Sequence, residues 1–135
     1  MAHQPSLFSE DDERPTTRLR ARSAGQLLEE RYERLRPIAN ALPPGVLFGT
    51  SSWSFPGWHG LVFAEKRTAS ALARDGLREY ARHPLFGTVG VDRSYYARVP
   101  PGDFLRYAEQ LPEGFPCCCK APARVTSALE PERGP

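Results

Sequence analysis

No apolar run in the 135-residue sequence approaches the roughly 18 residues that a bilayer-spanning helix needs. The amino-terminal stretch MAHQPSLFSEDDERP lacks the basic-then-apolar order of a signal peptide, so a cytoplasmic protein without a membrane partner is the expectation. There is no large excess of either charge: 18 Lys and Arg stand against 16 Asp and Glu, for a formal net charge of +2. Binders of long duplex nucleic acid carry a clustered basic excess, so that class of partner is not expected. Lysine itself is scarce, with only Lys66 and Lys120 present. The three cysteines, Cys117 to Cys119, are consecutive and have no fourth. Structural zinc uses pairs spaced by two to four residues with a second pair elsewhere, so no metal site is predicted and the cysteines read as small buried hydrophobes. His59 has no second ligand at suitable spacing either. Neither GxGxxG, nor a phosphate-binding P-loop, nor a GxSxG elbow is present, so the sequence identifies no cofactor.

What the chain does contain is an alternation of short elements. Residues 1–22 are polar, with the acidic run Glu10 to Glu13 followed by arginines, and read as a disordered extension. Residues 23–45 read as a helix and a Pro/Gly linker: Leu28, Tyr32 and Leu35 fall at helical spacing, Glu30 and Arg34 form an i,i+4 pair, and Pro37, Pro43, Pro44 and Gly45 break the chain. From Val46 the order becomes strand (VLFGTSSWS), helix (69–83), strand (85–92), helix (103–111) and strand (115–122). In the last helix Phe104, Leu105, Ala108 and Leu111 are expected to face inward, and His83 to cap the end of the preceding one. Strands alternating with helices predict an α/β fold of parallel βαβ units with right-handed crossovers.

In a parallel sheet the functional groups gather where strands end. Ser51 and Trp53 follow the first strand, Asp92, Tyr95 and Tyr96 the second, and Lys120 and Arg124 the third. If all three ends lie on one side, these residues line one cleft. Lys120 leaves a strand of Cys and Phe. Partial desolvation would suit it to base or Schiff-base chemistry, and its charge would suit it to holding an anion. The structural alternative, an ion pair with Asp92, is preferred. Asp92 is the candidate general base or the partner that orients Lys120. One of Tyr95 and Tyr96 is expected in the core and the other at a ligand. Trp53 is a stacking surface or, equally, a buried indole whose N–H meets a carbonyl. Arg93 is expected to turn away and form a salt bridge on the helix side. Catalysis is thus assigned to Lys120 and Asp92, and ligand binding to Trp53, Ser51, Tyr95, Tyr96 and Arg124. The ligand class is a small polar or anionic molecule; the alternative is a non-catalytic module for a phosphate or nucleic-acid end.

Three blocks carry a family resemblance: GTSSWSFPGW (49–58), VGVDRSYY (89–96), and Lys120-Ala121-Pro122 with Thr126. Over about Leu47 to Ser127 the chain resembles the YecE-like family, domain of unknown function 72. Against the family's usual blocks Ser52 stands for a glycine, Phe55 for a tyrosine, Gly90 for a glutamate, Asp92 for an asparagine and Tyr95 for a phenylalanine. The resemblance implies a TIM-barrel-like fold with its cleft at the strand ends; it implies no particular reaction. A complete barrel takes about 250 residues, whereas residues 46–135 hold three predicted strands. The expectation is a partial barrel, an amino-terminal fragment with its third strand left as an apolar edge, or one of two chains, with a complementary chain supplying the missing strands.

Overall fold

The computed structural model of the chain describes residues 22–127. The predicted polar extension, Arg22 apart, lies outside them. The first element is helix α1, Ala24–Asn40. Its start is a capping box: the Ser23 hydroxyl accepts from the Gln26 N–H at 3.2 Å, and the Gln26 amide oxygen accepts from the Ser23 N–H at 2.8 Å. Leu28 and Tyr32 are its buried stripe. The predicted break at Pro37 does not occur, because Pro37 lies within the last turns, where one missing N–H forfeits a single bond near a fraying end. The chain turns instead after Asn40, and Gly45 takes a positive φ of 82° there. The predicted Glu30–Arg34 pair is replaced by Arg22–Glu30 at 2.6 Å.

A single predicted helix over 69–83 is two. Helix α2, Ala69–Asp75, is capped by Thr68, and helix α3, Leu77–Tyr80, begins after Gly76. The side chain of Gln110 holds this bend: its oxygen accepts from the Leu77 N–H at 3.2 Å and its amide donates to the Arg74 carbonyl at 2.9 Å. The Leu77 N–H and Arg74 carbonyl freed by the break are thereby satisfied.

Strand β1 is Val89–Val91 and strand β2 is Cys117–Cys119; they pair in parallel, Val89 opposite Cys117 and Val91 opposite Cys119. Between them lie helix α4, Arg93–Tyr96, and helix α5, Pro101–Gln110; helix α6, Ala123–Thr126, follows β2. The first of the three predicted strands is not a strand. It is reduced to one parallel bridge, Phe48 with Phe86, yet its backbone runs beside β1: Gly87 N–H donates to Phe48 O at 2.9 Å and Gly90 N–H to Thr50 O at 2.7 Å. The ladder stops because Tyr80 intervenes. Its hydroxyl accepts from the Thr50 N–H at 2.9 Å and donates to Thr88 O at 3.1 Å, using groups a regular ladder would pair. The architecture is therefore mixed helix and strand around a two-stranded parallel sheet.

One core holds these pieces together: Trp53, Val62, Phe63, Leu72, Leu77, Tyr80, Val89, Val91, Val99 and Tyr107. In α5 the buried residue is Tyr107, whereas Phe104 and Leu105, expected inward, are exposed. Phe104 and Ala108 instead line an open apolar groove with Cys117 and Cys119, while half-buried Leu111 lines that groove and packs against the core as expected. The cysteines are likewise exposed rather than buried, because among the described residues no strand pairs with the far edge of β2. No helix among the described residues is long and apolar enough to cross a membrane.

Candidate functional site

Three backbone segments in parallel bring their carboxyl ends to one side. Ser51 follows the Phe48–Thr50 segment, Asp92 follows β1 and Lys120 follows β2. Glycines permit the spacing. A Cβ on Gly90 would lie 2.8 Å from the Ser51 Cα, and one on Gly49 would lie 2.2 Å from the Thr88 carbonyl oxygen. Only hydrogen at these positions lets the two backbones approach this closely.

Asp92 and Lys120 meet: the Lys120 ammonium donates to the Asp92 Oδ2 at 3.0 Å. The hydrogen bond to Asp92 holds the lysine above its ordinary range, against a smaller desolvation that pulls it down. Half of the Lys120 side chain is exposed, so the desolvated, depressed amine of a Schiff-base lysine is not its state. Lys120 is a fixed cation through neutral pH and loses its charge only as pH rises through its raised value.

Ser94 and Arg93 hold the two ends in place. The Ser94 hydroxyl is buried and lies 2.7 Å from both the Val91 and the Lys120 carbonyl oxygens, spanning the two strand ends with its one hydrogen shared between them. Arg93 turns to the helix side as expected: Nη1 donates to the Tyr107 hydroxyl at 2.8 Å and Nη2 meets Asp103 at 3.0 Å. This fixes α4 on α5 and leaves the Asp92 carboxylate free of any capping bond.

Tyr95 and Tyr96 stand edge to face, centroids 5.1 Å apart. Both are exposed, Tyr96 at 79%, so neither is the core residue expected of one of them. Both contribute to the electrostatic environment of Lys120. Ser51 is exposed at the mouth, and Arg124 stands exposed on α6, four positions beyond Lys120. Trp53 does not join them. It is 5% exposed, its indole N–H donates to the Leu72 carbonyl at 3.1 Å, and its ring packs edge-on to Tyr107 at 5.0 Å. Trp53 is a core side chain here, because its N–H and ring are both already partnered.

Ser94 and Tyr80 are positioning residues that sequence reasoning missed. A serine two places after Asp92 looks like any polar helix start, and the Tyr80 hydroxyl meets partners 30 and eight positions away. His83 has a role other than the predicted cap: it is buried among aromatic rings. Among the described residues no group of three or more His, Cys, Asp and Glu is placed to hold a metal.

The family model described as protein of unknown function DUF72 matches residues 47–133, which includes every one of the candidate residues. The same comparisons found no match among curated proteins or solved structures.

Proposed function

The chain belongs to the family of proteins of unknown function DUF72, and on that premise we propose that residues 46–127 build the first three βα units of a TIM-barrel-like domain that binds a small anionic ligand at its strand ends. In this reading the free edge of β2 receives the next strand of the barrel. The cleft at the carboxyl ends of the strands is then the ligand site, as in barrels generally. The observation that carries the reading is the Lys120–Asp92 pair at the mouth, 3.0 Å apart, with the Lys120 side chain 50% and the Asp92 side chain 32% exposed.

Lys120 supplies a fixed positive charge for a phosphate or carboxylate group. Asp92 holds that ammonium in position and places a carboxylate beside the bound ligand. A cation that stabilises developing negative charge, next to a carboxylate able to accept a proton, is a workable minimum for acid–base chemistry. Ser51, Tyr95 and Tyr96 offer hydroxyls around the pair, and Arg124 offers a second cation at the rim. A module that grips a nucleic-acid end by stacking on Trp53 is less well supported, since that ring is buried in the core.

The test is titration of inorganic phosphate into the wild-type protein, Lys120→Met and Asp92→Asn, read by calorimetry. The Lys120→Met variant should lose about tenfold or more in affinity, the scale of one charge-assisted bond. The Asp92→Asn variant should gain severalfold, because the ammonium loses its competing internal partner, and its Lys120 should titrate lower than in the wild type. Added salt should weaken wild-type binding. Equal affinity in the wild type and Lys120→Met, or no phosphate binding by either, would remove Lys120 from the function.

A further inference from the structure

Independently of the strand-end site, the geometry points to an acid-labile clasp: protonation of His83 releases helix α1 from the rest of the fold. Helix α1 is docked through a small set of contacts. Leu28 and Tyr32 are its buried residues; the Tyr32 hydroxyl donates to the Val62 carbonyl at 3.0 Å, Arg31 donates to the Gly60 carbonyl at 3.1 Å, and Glu29 pairs with Arg82. At the centre of this joint Tyr32 stands edge-to-face with His83, centroids 5.1 Å apart at 80°. His83 stacks on Phe86 at 4.1 Å, and Phe86 stacks on Tyr80 at 4.6 Å. One column of rings thus runs from α1 to the tyrosine whose hydroxyl binds Thr50 and Thr88.

His83 is 8% exposed, and its Nδ1 accepts from the Leu85 N–H at 3.4 Å. That arrangement suits the neutral imidazole with its hydrogen on Nε2, since an accepting Nδ1 carries no proton. A second proton would turn that acceptor into a donor facing an N–H, and would place a charge where solvent scarcely reaches. Cation–π attraction to Phe86 returns only part of this cost.

The charged groups around the joint do not compensate. On α1 they are Glu29, Arg31 and the Tyr32 phenol; on α3 and the turn after it they are Glu79, the Tyr80 phenol and Arg82. Both carboxylates are already engaged, Glu29 with Arg82 and Glu79 with Arg67. Burial pushes the imidazole below its ordinary range, and the Arg31 guanidinium pushes in the same direction.

A released α1 leaves His83 in water, where it takes a proton more readily than when docked. The docking energy that rests on neutral His83 is therefore complete above the free histidine value, about 6.5. It is lost as pH falls below that toward the depressed docked value.

The experiment is amide hydrogen exchange on the full chain between about pH 7.5 and about pH 5.5, corrected for the intrinsic pH dependence of exchange. In the wild type, amides of α1 should lose protection severalfold on acidification while those of β1 hold theirs. His83→Phe, which keeps a ring in the column but cannot titrate, should show no such loss; His83→Asn serves as a second non-titrating variant should the first not fold. The midpoint of the loss should coincide with the wild-type His83 titration followed by NMR. Unchanged α1 protection in the wild type, an equal loss in the non-titrating variants, or a midpoint apart from the His83 titration would each overturn the clasp.

Discussion

Replacing Trp53 by alanine should lower the unfolding free energy by about 3–5 kcal/mol, the usual cost of deleting a buried large aromatic side chain. Domains of ordinary size have about 5–15 kcal/mol in total, so this one change should bring the fold near its limit. The cost has three sources on the indole: apolar area out of water, the edge-on contact with Tyr107, and the bond to the Leu72 carbonyl. Trp53→Phe keeps most of the first and loses the bond, while the Leu72 carbonyl still accepts from the Gly76 N–H at 2.7 Å; it should cost about 0.5–1.5 kcal/mol, the worth of one ordinary hydrogen bond. Denaturant unfolding followed by circular dichroism gives both numbers. A Trp53→Ala protein with an unshifted midpoint but no ligand binding would return Trp53 to the site and remove it from the core.

Gly90→Ala should cost about 1–3 kcal/mol, the range for overpacking a close contact. The added methyl carbon would sit 2.8 Å from the Ser51 Cα and 3.2 Å from its carbonyl carbon and oxygen. Those are backbone atoms with no rotamer to escape into, so the two segments must part. Parting stretches the Gly90-to-Thr50 hydrogen bond, now 2.7 Å, and carries Ser51 away from Asp92 and Lys120. Stability and phosphate affinity should therefore fall together. Gly102→Ala is the matched control, since nothing lies within 4 Å of a Cβ there and the residue is already helical in α5. It should leave both unchanged or raise stability slightly. Equal effects at the two glycines would show that the close approach at Gly90 is not what positions the mouth.

The parts of the fold that local chemistry determines were readable from sequence. Leu28 and Tyr32 at helical spacing give α1 its buried face, and Asp92 ends an apolar run where β1 ends. The Lys120–Asp92 pair was legible because both residues end neighbouring runs of one parallel order, and Arg93 was legible because it follows one position later. What failed depended on distant partners. Pro37 stays helical because little is forfeited at a helix end. The first strand is lost to Tyr80, which lies 30 positions beyond the Thr50 it binds. The cysteines appeared core-like from their composition and are exposed because an edge is decided by which strand pairs there, something β2's own residues do not encode. Trp53 reads from sequence equally as a mouth residue or as a buried indole whose N–H meets a carbonyl, and the placement of Leu72 and Tyr107 decides for the second.

The shared mouth depends most on the order and direction of three backbone segments. Interstrand proton–proton contacts measured by NMR on the full chain test this most directly. Parallel pairing in the register Val89–Cys117, Gly90–Cys118 and Val91–Cys119, with Gly90 also against the Thr50–Ser51 backbone, is the predicted pattern. Contacts of antiparallel pairing would put Lys120 and Asp92 at opposite ends of the pair, and a register moved by one residue would turn them to different faces; either would contradict the shared mouth.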